Sequence, residues 1–331
     1  MSFRQGITGH EKQIDKIERA LDSGTLPHAY LFSGMGGIGK GLVALKLAEA
    51  LQCNSPESRP CGKCAGCRKI REGNHPDLIE LQADGKFIKI EQIRGLQKRL
   101  GLKSFEGRAT VCIIDGAEKM NPAAANALLK TLEEPPQGTY LILITENIRQ
   151  VISTVISRCR RLNFNPLSAD NIASILINEK GIAEKDAIAA AGMAEGSMGK
   201  AMELLDRFDA KEREEMFELV IDFKNIDDVF SISEKLTKKE GTLKLMNFID
   251  MLKFFLRDLM VFKSGVKKDR LLNIASDEIL KKGAGSFSLA ALMEIFETVA
   301  KTETAIMMNV NKRLAVENML LKFYNKKADI C

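Results

Sequence analysis

Short apolar runs alternate with helix-like patterns along the first half of the chain. A strand buried on both faces gives a continuous apolar run, whereas a helix packed on a sheet has apolar residues spaced by three or four. The alternation therefore predicts an α/β domain with a parallel sheet. Five runs have the length of strands: residues 29–32, 77–81, 109–114, 141–144 and 161–164.

Two helices between these runs have clear sequence signals. Apolar residues spaced by three or four predict a helix over residues 90–100. Asn121 offers a side-chain cap and Pro122 suits the first helical position, so a second helix is expected to begin there. Pro135 and Pro136 end it, because proline cannot continue a helix.

The pattern changes after Pro166, beyond which no run reads as a strand. Ser168 is a candidate helix cap, and the glycines that follow punctuate short helices, which predicts a small helical lid. From residue 209 the helical patterns become longer. The predicted domains are an α/β domain over 1–166, a lid over 167–208 and an all-α domain over 209–331.

Two stretches of the predicted all-α domain indicate how its helices pack. Met216, Leu219, Val220 and Phe223 have the spacing of one helical stripe. Residues 243–262 are apolar on most faces, which is typical of a helix inside a bundle or at a subunit interface.

Composition narrows the class of protein. A chain of 331 residues fits two domains or three small ones, and 45% apolar with 28% charged residues exclude a disordered or collagen-like chain. The formal net charge of +5 is only mildly basic. Because no run of about 18 apolar residues and no apolar leader segment are present, we expect a cytoplasmic globular protein.

A glycine-rich loop follows the first predicted strand and precedes a helix, which is the context of a phosphate-binding loop. Glycines let backbone N–H groups converge on phosphate oxygens, and a lysine adds a positive charge. The candidate nucleotide-binding residues of this loop are Gly34, Gly36, Gly37, Gly39, Lys40 and Gly41.

Two groups needed for hydrolysis are missing from the pattern. Gly41 stands where a serine or threonine hydroxyl would hold Mg²⁺. Asp115 ends the third predicted strand as a metal-side carboxylate, but Gly116 stands where a glutamate would orient water, and Glu118 lies two positions further on. Hydrolysis by this chain alone is not expected. The loop either binds ATP and Mg²⁺ without splitting the nucleotide, or keeps its shape and binds none.

Four of the seven cysteines lie within 15 residues, spaced C-x7-C-x2-C-x2-C. Such spacing lets a short loop supply four thiolates to a tetrahedral Zn²⁺, and four thiolates leave no open position for catalysis. An iron–sulfur cluster is the rival, although no further cysteine followed by proline completes the ferredoxin pattern. The predicted ligands of a structural zinc are Cys53, Cys61, Cys64 and Cys67, whereas Cys112 and Cys159 are expected to be core thiols.

Three further segments accompany these motifs: LPHAYLFSG at residues 26–34, NALLKTLEEPP at 126–136 and SRC at 157–159. In this combination the chain resembles the bacterial clamp-loader subunits of the AAA+ class, most closely their delta-prime branch. The last predicted helix resembles the collar of that family through Asn309, Asn311, Arg313, Leu314 and Glu317.

The resemblance implies an AAA+ P-loop sheet domain with a zinc-binding insertion, a small lid and a helical collar that joins subunits. It implies a non-hydrolysing subunit of DNA polymerase III that works with gamma/tau-type motor ATPases and a delta subunit. Together they would load a sliding clamp onto primer–template DNA. The alternative within the family is an active ATPase motor, and a zinc-dependent nucleic-acid-binding module is a third interpretation.

The resemblance also assigns roles to single residues. Arg158 of the SRC segment would be an arginine finger, reaching in trans into a neighbour's nucleotide site; an ordinary surface arginine is the alternative, since Arg160 and Arg161 stand beside it. Thr145 matches a sensor of the γ-phosphate and Lys200 a second sensor, although both are expected to be structural here. A basic stretch could follow DNA phosphates or be a solvated face: Lys86, Lys89, Arg94, Lys98, Arg99, Lys103 and Arg108.

Overall fold

The chain forms two compact units. The first reaches Ile172 and takes in Glu195–Gly199, and the second comprises Ala173–Ala194 and the chain from Lys200 onward. The predicted three-domain division stays a prediction. The computed structural model describes residues 3–55, 59–106, 108–207, 210–237, 242–265, 271–272, 275–308 and 310–328.

The first unit is built on a five-stranded sheet in the order β2-β3-β4-β1-β5, and all its pairings are parallel. Each of the five predicted strands is present, with ends that differ from the prediction by two residues or fewer. The predicted fold class is confirmed: a parallel α/β sheet followed by helices. The strands are β1 Ala29–Ser33, β2 Leu78–Leu81, β3 Thr110–Asp115, β4 Thr139–Thr145 and β5 Arg160–Asn163.

Seven helices are described up to residue 180, and their starts follow local chemistry. The Asn121 side chain accepts a hydrogen bond from the Ala124 amide at 2.8 Å, and Pro122 takes the first helical position, as predicted. Ser168 likewise accepts one from the Asn171 amide at 3.2 Å. The helices are α1 Glu11–Asp22, α2 Lys40–Gln52, α3 Ala65–Arg71, α4 Ile90–Leu100, α5 Pro122–Glu133, α6 Ser153–Ile156 and α7 Ala169–Lys180.

Both faces of the sheet are covered by apolar layers. Successive side chains of a strand point to opposite faces, so Phe32 of β1 packs in the layer with Leu47 of α2. Leu31, its neighbour, packs in the other layer with Leu96 of α4 and Leu128 of α5. This burial on both faces explains the continuous apolar runs, and it leaves the polar site residues to the loops at the carboxyl ends of the strands.

The remaining helices form the second unit's core around α12, which spans the predicted apolar stretch. Phe217 stacks on Phe255 at 4.2 Å between ring centroids. No described residue after Asn163 belongs to a strand, and no described helix is both long and apolar enough to cross a membrane. The helices are α8 Glu184–Met193, α9 Met198–Arg207, α10 Ala210–Ile221, α11 Ile226–Thr237, α12 Thr242–Lys263, α13 Asp277–Ser286, α14 Leu289–Met307 and α15 Lys312–Ala328.

The predicted stripe of α10 is wrong at Leu219, which is 44% exposed. Phe223 is buried in the core as predicted, but it lies beyond the end of the helix. The helix instead buries Phe217, Val220 and Ile221, which share the i, i+3, i+4 face. The sequence offers two apolar faces that share Val220, and packing against the core selected the one that contains Phe217.

Candidate functional site

The glycine-rich loop connects β1 to the start of α2, as predicted. Gly39 precedes the helix with φ 99° and Gly37 has φ 71°, both in the left-handed region that favours glycine. Gly34 allows a close approach, since a Cβ there would lie 2.4 Å from the Phe164 carbonyl oxygen. The loop therefore has the geometry of a phosphate-binding turn at a helix N-terminus.

Lys40 turns back onto this loop. Its side chain is buried, and Nζ donates hydrogen bonds to the carbonyl oxygens of Gly34 at 2.7 Å and Met35 at 2.6 Å. Burial lowers the pKa of Lys40, while the carboxylates of Glu146, Asp115 and Glu118 act in the opposite direction. The ammonium group thus satisfies the loop's own carbonyls and faces three carboxylates.

Three polar groups border the loop within the first unit. The Ser197 hydroxyl donates a hydrogen bond to the Gly36 carbonyl at 2.9 Å, and the Gly199 amide donates one to the Gly37 carbonyl at 3.0 Å. The carboxylate of Glu146 lies against the loop, because a Cβ on Gly36 would be 2.6 Å from its Oε1. Negative charge therefore lies beside the turn that would receive phosphates.

The carboxyl end of β3 carries Asp115, which is exposed. Gly116 follows with φ 83°, so a glutamate there would be strained, and its Cβ would lie 3.0 Å from the Lys119 side chain. Glu118 lies in a 3₁₀ turn, and its buried Oε2 has no hydrogen-bond partner among the described residues. By contrast, a Cβ on Gly41 would have no heavy atom within 4 Å.

Thr145 ends β4 and is fully buried. Its hydroxyl accepts a hydrogen bond from the Asn147 amide at 3.2 Å, and its carbonyl accepts one from the Gly34 amide at 3.2 Å. Thr145 thus joins β4 to the start of the phosphate loop. Its place in the degenerate nucleotide site stays a prediction, as does the structural role expected of Lys200, which belongs to the second unit.

The four clustered cysteines converge between α2 and α3. Cys53 follows the last residue of α2, and Cys64 caps α3 by accepting a hydrogen bond from the Cys67 amide at 3.5 Å. All four sulfur atoms lie within 4.8 Å of one another. Sulfur atoms about 3.8 Å apart would surround a tetrahedral Zn²⁺ with bonds of about 2.3 Å, so a small contraction would suffice. The donor set fits a closed metal site.

Backbone amides donate hydrogen bonds to sulfur atoms of this cluster, whereas burial raises the pKa of Cys53 and of Cys67. The Cys61 amide donates to the Cys53 sulfur at 3.2 Å, and the Cys64 amide donates to the Cys61 sulfur at 3.4 Å. Backbone hydrogen bonds from Lys63 and Cys64 lower the pKa of Cys61 to about 6. Four ligands from one short loop, supported by N–H donors, suit a zinc ion that would brace the loop.

The cysteines outside the cluster have different surroundings. Cys112 lies in β3 and is fully buried, and Cys159 packs against the apolar layer of α4 and α5. Burial raises the pKa of each to about 12, so both are neutral thiols at physiological pH. The interpretation as a core residue is confirmed for Cys112, whereas Cys159 is half-buried beside that core.

Arg158 lies two residues after α6 and is held by its own chain. Its Nε donates to Glu133 Oε1 at 2.6 Å, and Nη2 contacts the same oxygen. Nη1 donates to the Thr154 carbonyl at 3.0 Å and the Ser157 hydroxyl at 3.3 Å. The side chain is 33% exposed, so the guanidinium lies at the surface in a defined orientation.

The seven residues of the predicted basic stretch are all exposed. Three of them have partners among the described residues. Lys86 Nζ lies over the Phe87 ring, 5.8 Å from its centroid, and Lys89 pairs with Asp84 at 3.6 Å. Arg108 donates a hydrogen bond to the distant Cys53 carbonyl at 2.7 Å. Arg108 therefore supports the cysteine loop, which its place in a basic run did not indicate. Both interpretations of the stretch, contact with DNA phosphates and a solvated face, stay predictions.

Glu133, Glu146 and Ser197 contribute to these sites and were missed as functional candidates. Glu133 belongs to the segment NALLKTLEEPP, whose resemblance gave it no role of its own. Each contacts a residue at least 25 positions away, as Ser197 does with Gly36 across 161 positions. No local spacing rule signals such pairs.

The two family models and two of the curated relatives that this chain resembles are subunits of DNA polymerase III. Residues 9–168 match the family model described as DNA polymerase III, delta subunit, and residues 209–325 match its C-terminal model. The chain is 33% identical over 311 residues to DNA polymerase III subunit delta' of Bacillus subtilis, covering 92% of this chain and 93% of that one. It is 27% identical to subunit tau of the same species, covering 96% of this chain and 61% of tau. A crystal structure of a gamma-subunit-related protein from Thermotoga maritima covers 95% of this chain and all of its own, with 18% identity and a TM-score of 0.44.

Proposed function

We propose a function from one premise: the chain belongs to the delta-prime family of bacterial DNA polymerase III clamp-loader subunits. In this proposal it is a non-hydrolysing AAA+ subunit in the cytoplasm. It joins gamma/tau-type motor subunits and a delta subunit through its C-terminal helices. Its chemical contribution is Arg158, which stabilises charge in a neighbour's nucleotide site while a sliding clamp is loaded onto primer–template DNA.

The observation that carries the non-hydrolysing role is the left-handed backbone of Gly116, directly after β3. Gly116 has a left-handed backbone at the position where a glutamate would orient water, and Gly41 offers no hydroxyl for Mg²⁺. The two losses remove separate contributions to phosphoryl transfer. The inward hydrogen bonds of Lys40 and the nearby carboxylate of Glu146 also disfavour a triphosphate in this loop.

The position of Arg158 supports its role as a finger. It is partly exposed at the surface of the first unit and presents a planar guanidinium, which is always charged and can contact a phosphate with two N–H groups. An arginine supplied in trans raises phosphoryl-transfer rates by roughly 10³–10⁵. The subunit would therefore govern a reaction that it does not itself perform.

Zinc would have a structural role in this proposal. Cys53, Cys61, Cys64 and Cys67 would hold it, and four thiolates leave no position for substrate or water. The ion would fix the loop between α2 and α3, where Arg108 also contacts the Cys53 carbonyl.

The test is the ATPase rate of the loader reconstituted with the gamma/tau-type and delta subunits of the same organism. Replacing Arg158 by Ala should leave assembly intact and lower the rate, whereas Arg161→Ala, an exposed neighbour in β5, should not. An unchanged rate in the Arg158→Ala loader would contradict the finger. Turnover of ATP by the purified chain alone at motor-like rates would instead favour an active ATPase.

A further inference from the structure

The contact between Arg158 and Glu133 joins two separate elements of the first unit. Glu133 is the last residue of α5, and Arg158 follows α6. One carboxylate oxygen, Oε1 of Glu133, accepts a hydrogen bond from Nε and forms an ion pair with Nη2 of the guanidinium. Nothing in the local sequence requires this pair, since the two residues are 25 positions apart.

A count of donors shows how fully the guanidinium is engaged. An arginine side chain has five N–H donors in a fixed fork. Nε donates a hydrogen bond to Glu133 Oε1, which also forms an ion pair with Nη2, and Nη1 donates to the Thr154 carbonyl and the Ser157 hydroxyl. A two-pronged contact to a phosphate group uses two N–H groups of one edge, either Nε with Nη2 or Nη1 with Nη2. Each of these edges therefore has at least one donor already engaged.

The donors that can be released are those on Glu133. Thr154 and Ser157 are neutral partners close in sequence, whereas the Glu133 carboxylate carries the same sign of charge as an incoming phosphate. Carboxylate and phosphate oxygens compete for the same Nε–Nη2 edge, which suits both geometrically. Both cannot occupy that edge together.

We infer that Glu133 is a reversible latch for Arg158, holding the guanidinium on its own chain until a neighbour's phosphate displaces the carboxylate. The inference rests on the proposed finger role, and it adds a regulatory residue on α5. The Arg158 side chain is 33% exposed and the Glu133 side chain 48%, so water screens the ion pair and breaking it costs little free energy. Arg158 is thereby kept ordered in the free subunit and is still releasable on assembly.

The first test measures the latch in the free, full-length chain. Phenylglyoxal reacts with guanidinium groups, and tandem mass spectrometry locates the modified arginine. Glu133→Gln removes the charge and should raise the modification rate of Arg158 about two- to fivefold, as expected for losing an exposed ion pair. Glu134→Gln, the exposed neighbour, is the matched control and should leave the rate unchanged. Arg160 and Arg161, in the same peptide, serve as internal references.

Equal rates for Arg158 in the wild type and in Glu133→Gln would overturn the latch. So would an equal acceleration at Arg160 and Arg161, because that would indicate general loosening of the region.

The second test uses the reconstituted loader. It distinguishes a latch, which releases Arg158, from a residue that is needed to position Arg158. A latch predicts that Glu133→Gln keeps the ATPase rate at the wild-type level or raises it up to about fivefold. A fall to the rate of the Arg158→Ala loader would overturn the inference, since Glu133 would then be needed to position the finger. Failure of the proposed function appears separately, as an Arg158→Ala loader with an unchanged rate.

Discussion

The hydroxyl of Ser197 donates a hydrogen bond of 2.9 Å to the carbonyl of Gly36, although 161 residues separate them in the chain. The adjacent Gly37 has no side chain, and Ser197 occupies the space that one would fill: a Cβ on Gly37 would lie 2.4 Å from the Ser197 hydroxyl oxygen. The glycine loop is thus shaped by the segment that packs against it.

This closeness predicts opposite effects of alanine at two glycines of the loop. Gly37→Ala should destabilise the first unit by about 1–3 kcal/mol, because φ is 71° and the new methyl group meets Ser197. Gly41→Ala, in the first turn of α2 with open space around it, should be neutral or stabilise by up to about 1 kcal/mol. Urea unfolding of both variants measures this, and similar free energies of unfolding for the two would contradict the geometry.

Metal content provides a second prediction. Protein purified with zinc supplied and without chelator should contain one zinc per chain by elemental analysis, since four thiolates converge at one point. Cys64→Ser should lower that content and increase the reactivity of the remaining cluster thiols toward a disulfide reagent. The control is Cys331→Ser, outside the described residues and outside the cluster. Equal zinc content in Cys64→Ser and Cys331→Ser would count against the site.

The stability of the folded chain is expected to depend on pH through His75. The ring is buried and its Nδ1 accepts a hydrogen bond from the Asp77 amide at 3.1 Å, so the neutral form is favoured. Burial lowers the pKa of His75 below its ordinary value of about 6.5, and Glu106 and Asp77 only partly oppose this. The unfolded chain therefore binds the proton more readily. The contribution to stability is complete above pH of about 6.5 and is lost as the pH falls.

Hydrogen exchange of peptides from β2 and β3 measures this dependence between pH 8 and 5. The opening free energy of these strands should decrease with falling pH in the wild type. His75→Asn, which keeps an acceptor for the Asp77 amide but does not titrate in this range, should give a flatter profile. Identical slopes in the two proteins would show that His75 is not responsible.

The predicted zinc cluster illustrates how far sequence spacing carries. Cys61, Cys64 and Cys67 are separated by two residues each, so a short loop can bring their sulfur atoms together, and they do converge with Cys53. The support from Arg108, which donates to the Cys53 carbonyl, could not be predicted. It depends on the return of the chain from α4 to β3, and on no local pattern.

The α10 stripe shows the limit of periodicity. Leu219 and Phe217 are both apolar and lie on faces of the helix about 200° apart, and the sequence alone does not rank them. Phe217 stacks on Phe255 of α12 and is buried, while Leu219 is exposed. The choice between two apolar faces is made by the partner helix.

By itself, the amino-acid sequence determined the strands, the glycine loop and its missing hydroxyl, the cysteine cluster and the arginine of the SRC segment. Each of these is a local property of the sequence: the alternation of apolar runs with helical patterns, the conformational freedom of glycine, the spacing of ligands, or the residue type within a short window. Only the tertiary structure decided that Lys40 satisfies the loop's own carbonyls, that Ser197 borders Gly36, and that Glu133 holds Arg158. Those contacts arise where distant segments meet, and their partners are fixed by how the sheet and its helices pack rather than by spacing along the chain.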